Sequence, residues 1–125
     1  MTNLATKIED ILLDIGVPTN LLGHKYTVCA TALHYINAKD HRISMTKFLY
    51  PTIAEMFKTT PTRVERAIRH AIEMSFDKID ITVCKKYFGS IIDPKVKKPT
   101  NSEFIATLSM HVERIARGDM EETND

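Results

Sequence analysis

Apolar residues at Leu4, Ile8, Ile11, Leu12 and Ile15 recur at the spacing of one face of an amphipathic helix. Gly16 and Pro18 then stop it, because glycine accepts the left-handed backbone at a helix end and proline cannot continue a helix. A second helix is predicted from about Leu21 to Asn37, with Tyr26, Cys29, Ala30, Leu33 and Ile36 on one face. Residues 38–42 are polar and read as a loop. A third apolar stretch opens near Ser44 and takes in Phe48, Leu49, Ile53, Ala54 and Phe57. Pro51 inside it either kinks that helix or begins a new one.

Thr60 then Pro61 is the favoured order of an N-cap and a first helical residue, and a helix is predicted over Pro61 to Phe76. Ile79, Ile81 and Val83 alternate over too short a run to define a strand, and Tyr87-Phe88-Gly89 suggests a short helix and a turn. Residues 93–98 form a basic loop. Thr100 and Glu103 are spaced as a capping box, opening a last helix that carries Phe104, Ile105, Leu108, Val112 and Ile115. The pattern predicts an all-α, bundle-like domain of about six helices over residues 1–117, followed by an acidic, disordered tail over 118–125.

A chain of 125 residues can bury one hydrophobic core. Cys29 and Cys84 stand alone, without CxxC spacing, and read as small buried apolar residues. No apolar run is long enough to span a bilayer, and the N-terminus lacks a signal-peptide pattern. The expected setting is the cytoplasm, at the nucleoid, without membrane contact. His24, His34, His41, His70 and His111 have no metal-ligand spacing, and no nucleophile elbow, phosphate loop or dinucleotide fingerprint occurs. Neither an enzyme nor a cofactor or metal site is expected.

The net charge of +1 conceals an uneven distribution. Residues 58–98 carry ten Lys/Arg and five Asp/Glu, whereas residues 99–125 carry two and six. A basic middle can meet phosphates through its local field, or it can be a solvated surface.

On a wheel advancing about 100° per residue from Thr62, the residues Val64, Ala67, Ile68, Ala71, Ile72 and Ser75 fall between about 140° and 280°. Thr62, Glu65, Arg66, Arg69 and Glu73 cluster on the opposite side, flanked by Arg63 and His70. Small Ala67 and Ala71 on the buried side allow another helix to approach closely. A short helix from Pro51 to Phe57, a tight connection and this amphipathic helix make a helix-turn-helix pattern. In such a motif the second helix meets base edges with its N-terminal half. Arginine suits that task because its planar fork donates two hydrogen bonds to guanine O6 and N7. Glu65 can accept from cytosine N4, or pair with Arg69 four residues on. By pattern alone the arrangement serves a DNA reader and a structural bundle equally well.

Longer blocks narrow the choice. Phe48-Leu49-Tyr50-Pro51-Thr52-Ile53-Ala54 is followed by Thr59-Thr60-Pro61-Thr62-Arg63-Val64-Glu65-Arg66-Ala67-Ile68-Arg69-His70-Ala71-Ile72-Glu73. Ile15-Gly16-Val17-Pro18 precedes them, and Lys98-Pro99-Thr100-Asn101-Ser102-Glu103-Phe104-Ile105-Ala106 follows. In content and order these blocks resemble the C-terminal effector domain of the master sporulation response regulator of endospore-forming Firmicutes, here as a stand-alone paralogue without the receiver domain.

The resemblance implies a six-helix fold with a helix-turn-helix, and sequence-specific binding to double-stranded promoter DNA. It also implies pairing of tandem copies on DNA. Carried over position by position, Glu65, Arg66 and Arg69 are the base-reading residues, with Arg63 beside them. Thr60, Thr62, His70, Lys95, Lys97, Lys98 and Ser102 are the phosphate-contact candidates. The lysines lie beside a helix N-terminus, whose free N–H groups suit an anion.

The chain departs from the family at three places. Tyr26-Thr27-Val28-Cys29-Ala30 stands for a Tyr-Leu-Arg-Glu-Ala, Leu13-Asp14 for a His-Glu, and Glu55-Met56 for a Lys-Lys. These exchanges remove charge from the expected DNA or partner surface. The competing expectation is therefore an interaction module that pairs with or antagonises a full-length regulator. RNA polymerase is a further expected partner of the DNA-bound form.

Overall fold

The computed structural model describes residues 3–37, 44–90 and 92–118, and its described residues are helical with no strand. The acidic tail expected after residue 117 lies, beyond Gly118, outside the described residues. The loop expected over 38–42 lies outside them too.

Helix α1 (Leu4–Ile15) starts at Asn3, whose side chain accepts from the Thr6 amide at 2.8 Å, and ends at Gly16 in the left-handed region at φ +96°. It buries Ile8, Ile11, Leu12 and Ile15, the stripe read from the sequence.

Helix α2 (Leu22–Ile36) corrects the expectation for its face. Its buried residues are Gly23, His24, Tyr26, Thr27, Ala30 and Thr31, while Ile36 is 68% exposed and Cys29 and Leu33 are half-buried. The physical reason is close approach. Helix α2 packs against α4 (Pro61–Phe76) and α6 (Asn101–Ala116), and Gly23 lets it come into contact with Ala67 and Ala71 of α4.

Pro51 falls nearer the second reading, in the first turn of a new α-helix, one residue after its start. Ser44 caps a π-helical turn, Met45–Leu49, that runs directly into α3 (Tyr50–Met56), with proline in the first turn of the α-helix. The amides of Leu49 and Tyr50 reach back five residues, to Ser44 and Met45. This wider turn leads into Pro51, which has no amide to donate.

The alternating stretch after Ile79 is helix α5 (Ile81–Phe88), not a strand. Asp80 supplies the deciding signal, because its carboxylate accepts from the Thr82 and Val83 amides at 2.8 and 3.4 Å. The last helix, α6, opens on the expected capping box: Thr100 accepts from the Glu103 amide at 3.1 Å and Glu103 accepts from the Thr100 amide at 2.8 Å.

The core joins these helices through aromatic side chains. Phe76 of α4, Phe88 of α5 and Phe104 of α6 form a triangle with ring centroids 5.3 to 6.0 Å apart. Such pairs add to the free energy of burying the rings. Beneath them, His111 of α6 is 1% exposed, and its Nε2 donates to the Tyr87 carbonyl at 2.8 Å. The Tyr87 hydroxyl donates to Asp14 at 2.6 Å, tying α5 to α1.

Candidate nucleic-acid interface

Helices α3 and α4 and their connection set the site. The turn is closed by the Thr59 amide donating to the Ala54 carbonyl at 2.9 Å, with Lys58 at φ +55°. Thr60 then caps α4 by accepting from the Arg63 amide at 3.2 Å, and Pro61 occupies its first turn. Val64, Ile68, Ala71, Ile72, Ser75 and Phe76 are buried. Thr62, Arg63, Glu65, Arg66 and His70 are exposed along the other side. The two faces of the helix are those read from the sequence.

The candidate base-reading residues are not equivalent. Neither the Arg66 guanidinium nor the Glu65 carboxylate has an ion-pair or hydrogen-bond partner among the described residues. Arg69 is 34% exposed at its side chain and is engaged twice. Its Nη1 donates to the Pro99 carbonyl at 2.7 Å, and its Nε lies 3.3 Å from Glu73 Oε2. Arg69 therefore pairs forward with Glu73 rather than back with Glu65.

Glu65, Arg66 and Arg69 border an open groove of about 450 Å³ whose other walls are Met45, Thr46 and Tyr50 and the start of α6, Thr100 to Ser102. Ser102 is exposed at the first turn of α6. The structure thus brings Ser102 to the same groove as the α4 residues.

The basic loop divides. Lys98 turns toward the C-terminal end of α4, where it donates to the carboxylate of Asp77 and lies 3.5 Å from the Glu73 carbonyl. Lys97 lies 3.8 Å from Glu103. Lys95 has no ion pair among the described residues and lines a separate groove with Ile81, Lys85 and Ile92. None of the three lysines lines the groove bordered by Glu65, Arg66 and Arg69.

Two groove residues escaped the sequence reading. Asn101 is 8% exposed, and its Nδ2 donates to the Tyr50 hydroxyl and to the Glu65 carbonyl, both at 3.0 Å. Burial and the nearby Glu65 push the Tyr50 phenol up, against the opposite pull of the Asn101 bond. Tyr50 therefore stays protonated at neutral pH. Both contacts join residues far apart in sequence, and periodicity carries no trace of such hydrogen bonds.

The exchanges Glu55 and Met56 both lie exposed at the end of α3. Among the described residues, no group of His, Cys, Asp or Glu is arranged to hold a metal ion, and no helix is long and apolar enough to cross a membrane.

An all-α bundle with a short helix, a tight turn and a two-faced second helix defines a helix-turn-helix domain. The chain matches the family model of the sporulation initiation factor Spo0A C terminal over residues 8–112, and it belongs to that family. The family is one of sporulation-related DNA-binding transcription regulator domains, response-regulator effector domains, and not a family of enzymes.

Proposed function

We propose that residues 1–117 bind promoter DNA sequence-specifically, with α4 lying in the major groove. The observation that carries this reading is the pairing state of α4's outer face: Arg66 and Glu65 are exposed and free among the described residues, on a helix whose other face is fixed in the core. A free guanidinium can offer both donors of its fork to one guanine, and a free carboxylate can accept from cytosine N4. Arg63, one turn nearer the helix start, extends the same face.

Arg69 stands at the groove's edge. Reaching a base would require it to keep or exchange its bond to Pro99. Thr60, Thr62, His70 and Ser102 flank this face as phosphate contacts, and Lys95 and Lys97 extend the basic surface around it. Lys98 takes part only if it exchanges its bond to Asp77.

The protein acts in the cytoplasm, at the nucleoid. It pairs with a second copy on tandem sites or with a full-length regulator, and it meets RNA polymerase at the promoter. One feature favours a second reading, an interaction module that pairs with or antagonises the full-length regulator. Ile36 and Met110 are 68% and 43% exposed beside an open groove between α2 and α6, also lined by Tyr35 and Ala106.

A gel-shift titration separates the two. A DNA reader is expected to retard the promoter element of the full-length regulator, by itself, at a concentration well below that needed for a scrambled duplex. Equal affinity for the two duplexes, or retardation only when the full-length regulator is added, would favour the interaction module.

A further inference from the structure

We propose that Asn101, on a helix outside the helix-turn-helix, is a positioning residue for DNA readout. The proposal rests on the reading of α4 as the base-contacting helix.

Asparagine at the first position of a helix normally faces solvent. Here its side chain is more than nine-tenths buried, and a single amide nitrogen spans both helices of the motif. One hydrogen goes to the hydroxyl of Tyr50, the first residue of α3, and the other to the backbone carbonyl of Glu65 in α4. Glu65 and its neighbour Arg66 are exposed groups whose side chains have no partner among the described residues.

The grip is reciprocal. While Asn101 of α6 holds the backbone of α4, the Arg69 side chain of α4 holds the backbone of Pro99, two residues ahead of Asn101. Two crossed hydrogen bonds of 3.0 and 2.7 Å thus fix the rotation of α4 about its axis relative to α6. Rotation is the variable that decides where the Arg66 fork meets a base edge, and planar bidentate contacts tolerate little misalignment.

The test compares Asn101→Asp, Asn101→Ala and Arg66→Ala with the parent protein. Aspartate has the same shape and suits the start of a helix, but its carboxylate cannot donate to the Glu65 carbonyl and is buried against it, so it costs stability as well as the bond. Melting temperature and affinity for the promoter element and a scrambled duplex are measured at one salt concentration. Taking the ratio of the two affinities cancels most of the effect of the added charge.

Asn101→Asp is expected to melt below the parent temperature and, assayed well below its own melting temperature, to lose about 10-fold in that ratio, the scale of one impaired base contact. Asn101→Ala, which also leaves Glu65 unbridged, is expected to show the same drop when assayed well below its own melting temperature. An unchanged ratio in both Asn101 variants, alongside a lowered ratio in Arg66→Ala, overturns the positioning role and leaves the reading of α4 intact. An unchanged ratio in all three overturns both.

Discussion

Gly23 of α2 lies so close to Ala67 of α4 that a Cβ on it would fall 2.1 Å from the Ala67 carbonyl oxygen and 2.7 Å from the Ala71 Cβ. The obstacle is backbone, which cannot swing aside. Gly23→Ala must therefore push α2 off α4. Alanine favours a helix over glycine by about 1 kcal/mol, but overpacking of this kind costs ~1–3 kcal/mol. The variant is expected to unfold at lower denaturant concentration than the parent. A gain in stability would mean that the two helices separate at little cost.

That contact illustrates what the sequence made legible. Ala67 and Ala71 on the apolar side of α4 announced a close helix neighbour, and the helix itself was readable from Thr60-Pro61 at its start and its two-faced periodicity. The face of α2 was readable only in part: Tyr26 and Ala30 are buried as expected, but so are Gly23, Thr27 and Thr31, which carry little apolar signal, while Ile36 is exposed. Helix α5 is short and its three β-branched residues imitate a strand, so the cap at Asp80 had to outweigh them. At the site, the exposure of Arg63, Glu65 and Arg66 followed from angle alone. The tethering of Arg69 to Pro99 and of Lys98 to Asp77 joins segments about one helix-and-loop apart, beyond the range of any local pattern.

Protonation of the buried histidine should destabilise the fold. Burial holds the His111 imidazole below its ordinary range, with Arg114 and Lys86 pushing the same way against the bond to the Tyr87 carbonyl. Burial alone lowers His34 likewise. The unfolded chain then takes up protons near pH ~6.5 that the folded one refuses, so stability is complete above that value and falls as the pH drops below it. The melting temperature is expected to fall between about pH 7.5 and 5.0, and to fall less in His111→Gln, whose amide has no proton to gain. Identical slopes in both proteins would remove His111 as the source of the pH dependence.

The lysines of the 93–98 loop should behave differently from one another. Lys95 is unpaired among the described residues. If it neutralises one phosphate fully, Lys95→Ala is expected to lower the slope of log affinity against log salt concentration by ~0.9. Lys98 is tied to Asp77, so Lys98→Ala is expected to alter the salt dependence less than Lys95→Ala does. Binding titrations over a range of salt concentrations decide this. A larger change for Lys98→Ala would show that it leaves Asp77 for a phosphate.

Helix α4 is proposed to read bases through its free outer face, and Arg66 is where that proposal is most open to test. Arg66→Ala removes a side chain with no partner among the described residues, so its melting temperature should match the parent's. Arg69→Ala is the control, since it also breaks the bond to Pro99 and should lower the melting temperature. The deciding measurement is the affinity of Arg66→Ala for the promoter element and for a scrambled duplex at one salt concentration. Specific binding is predicted to weaken by ~1–3 kcal/mol, with a much smaller effect on the scrambled duplex. If the ratio of the two affinities stays at the parent value, α4 is not the reading helix.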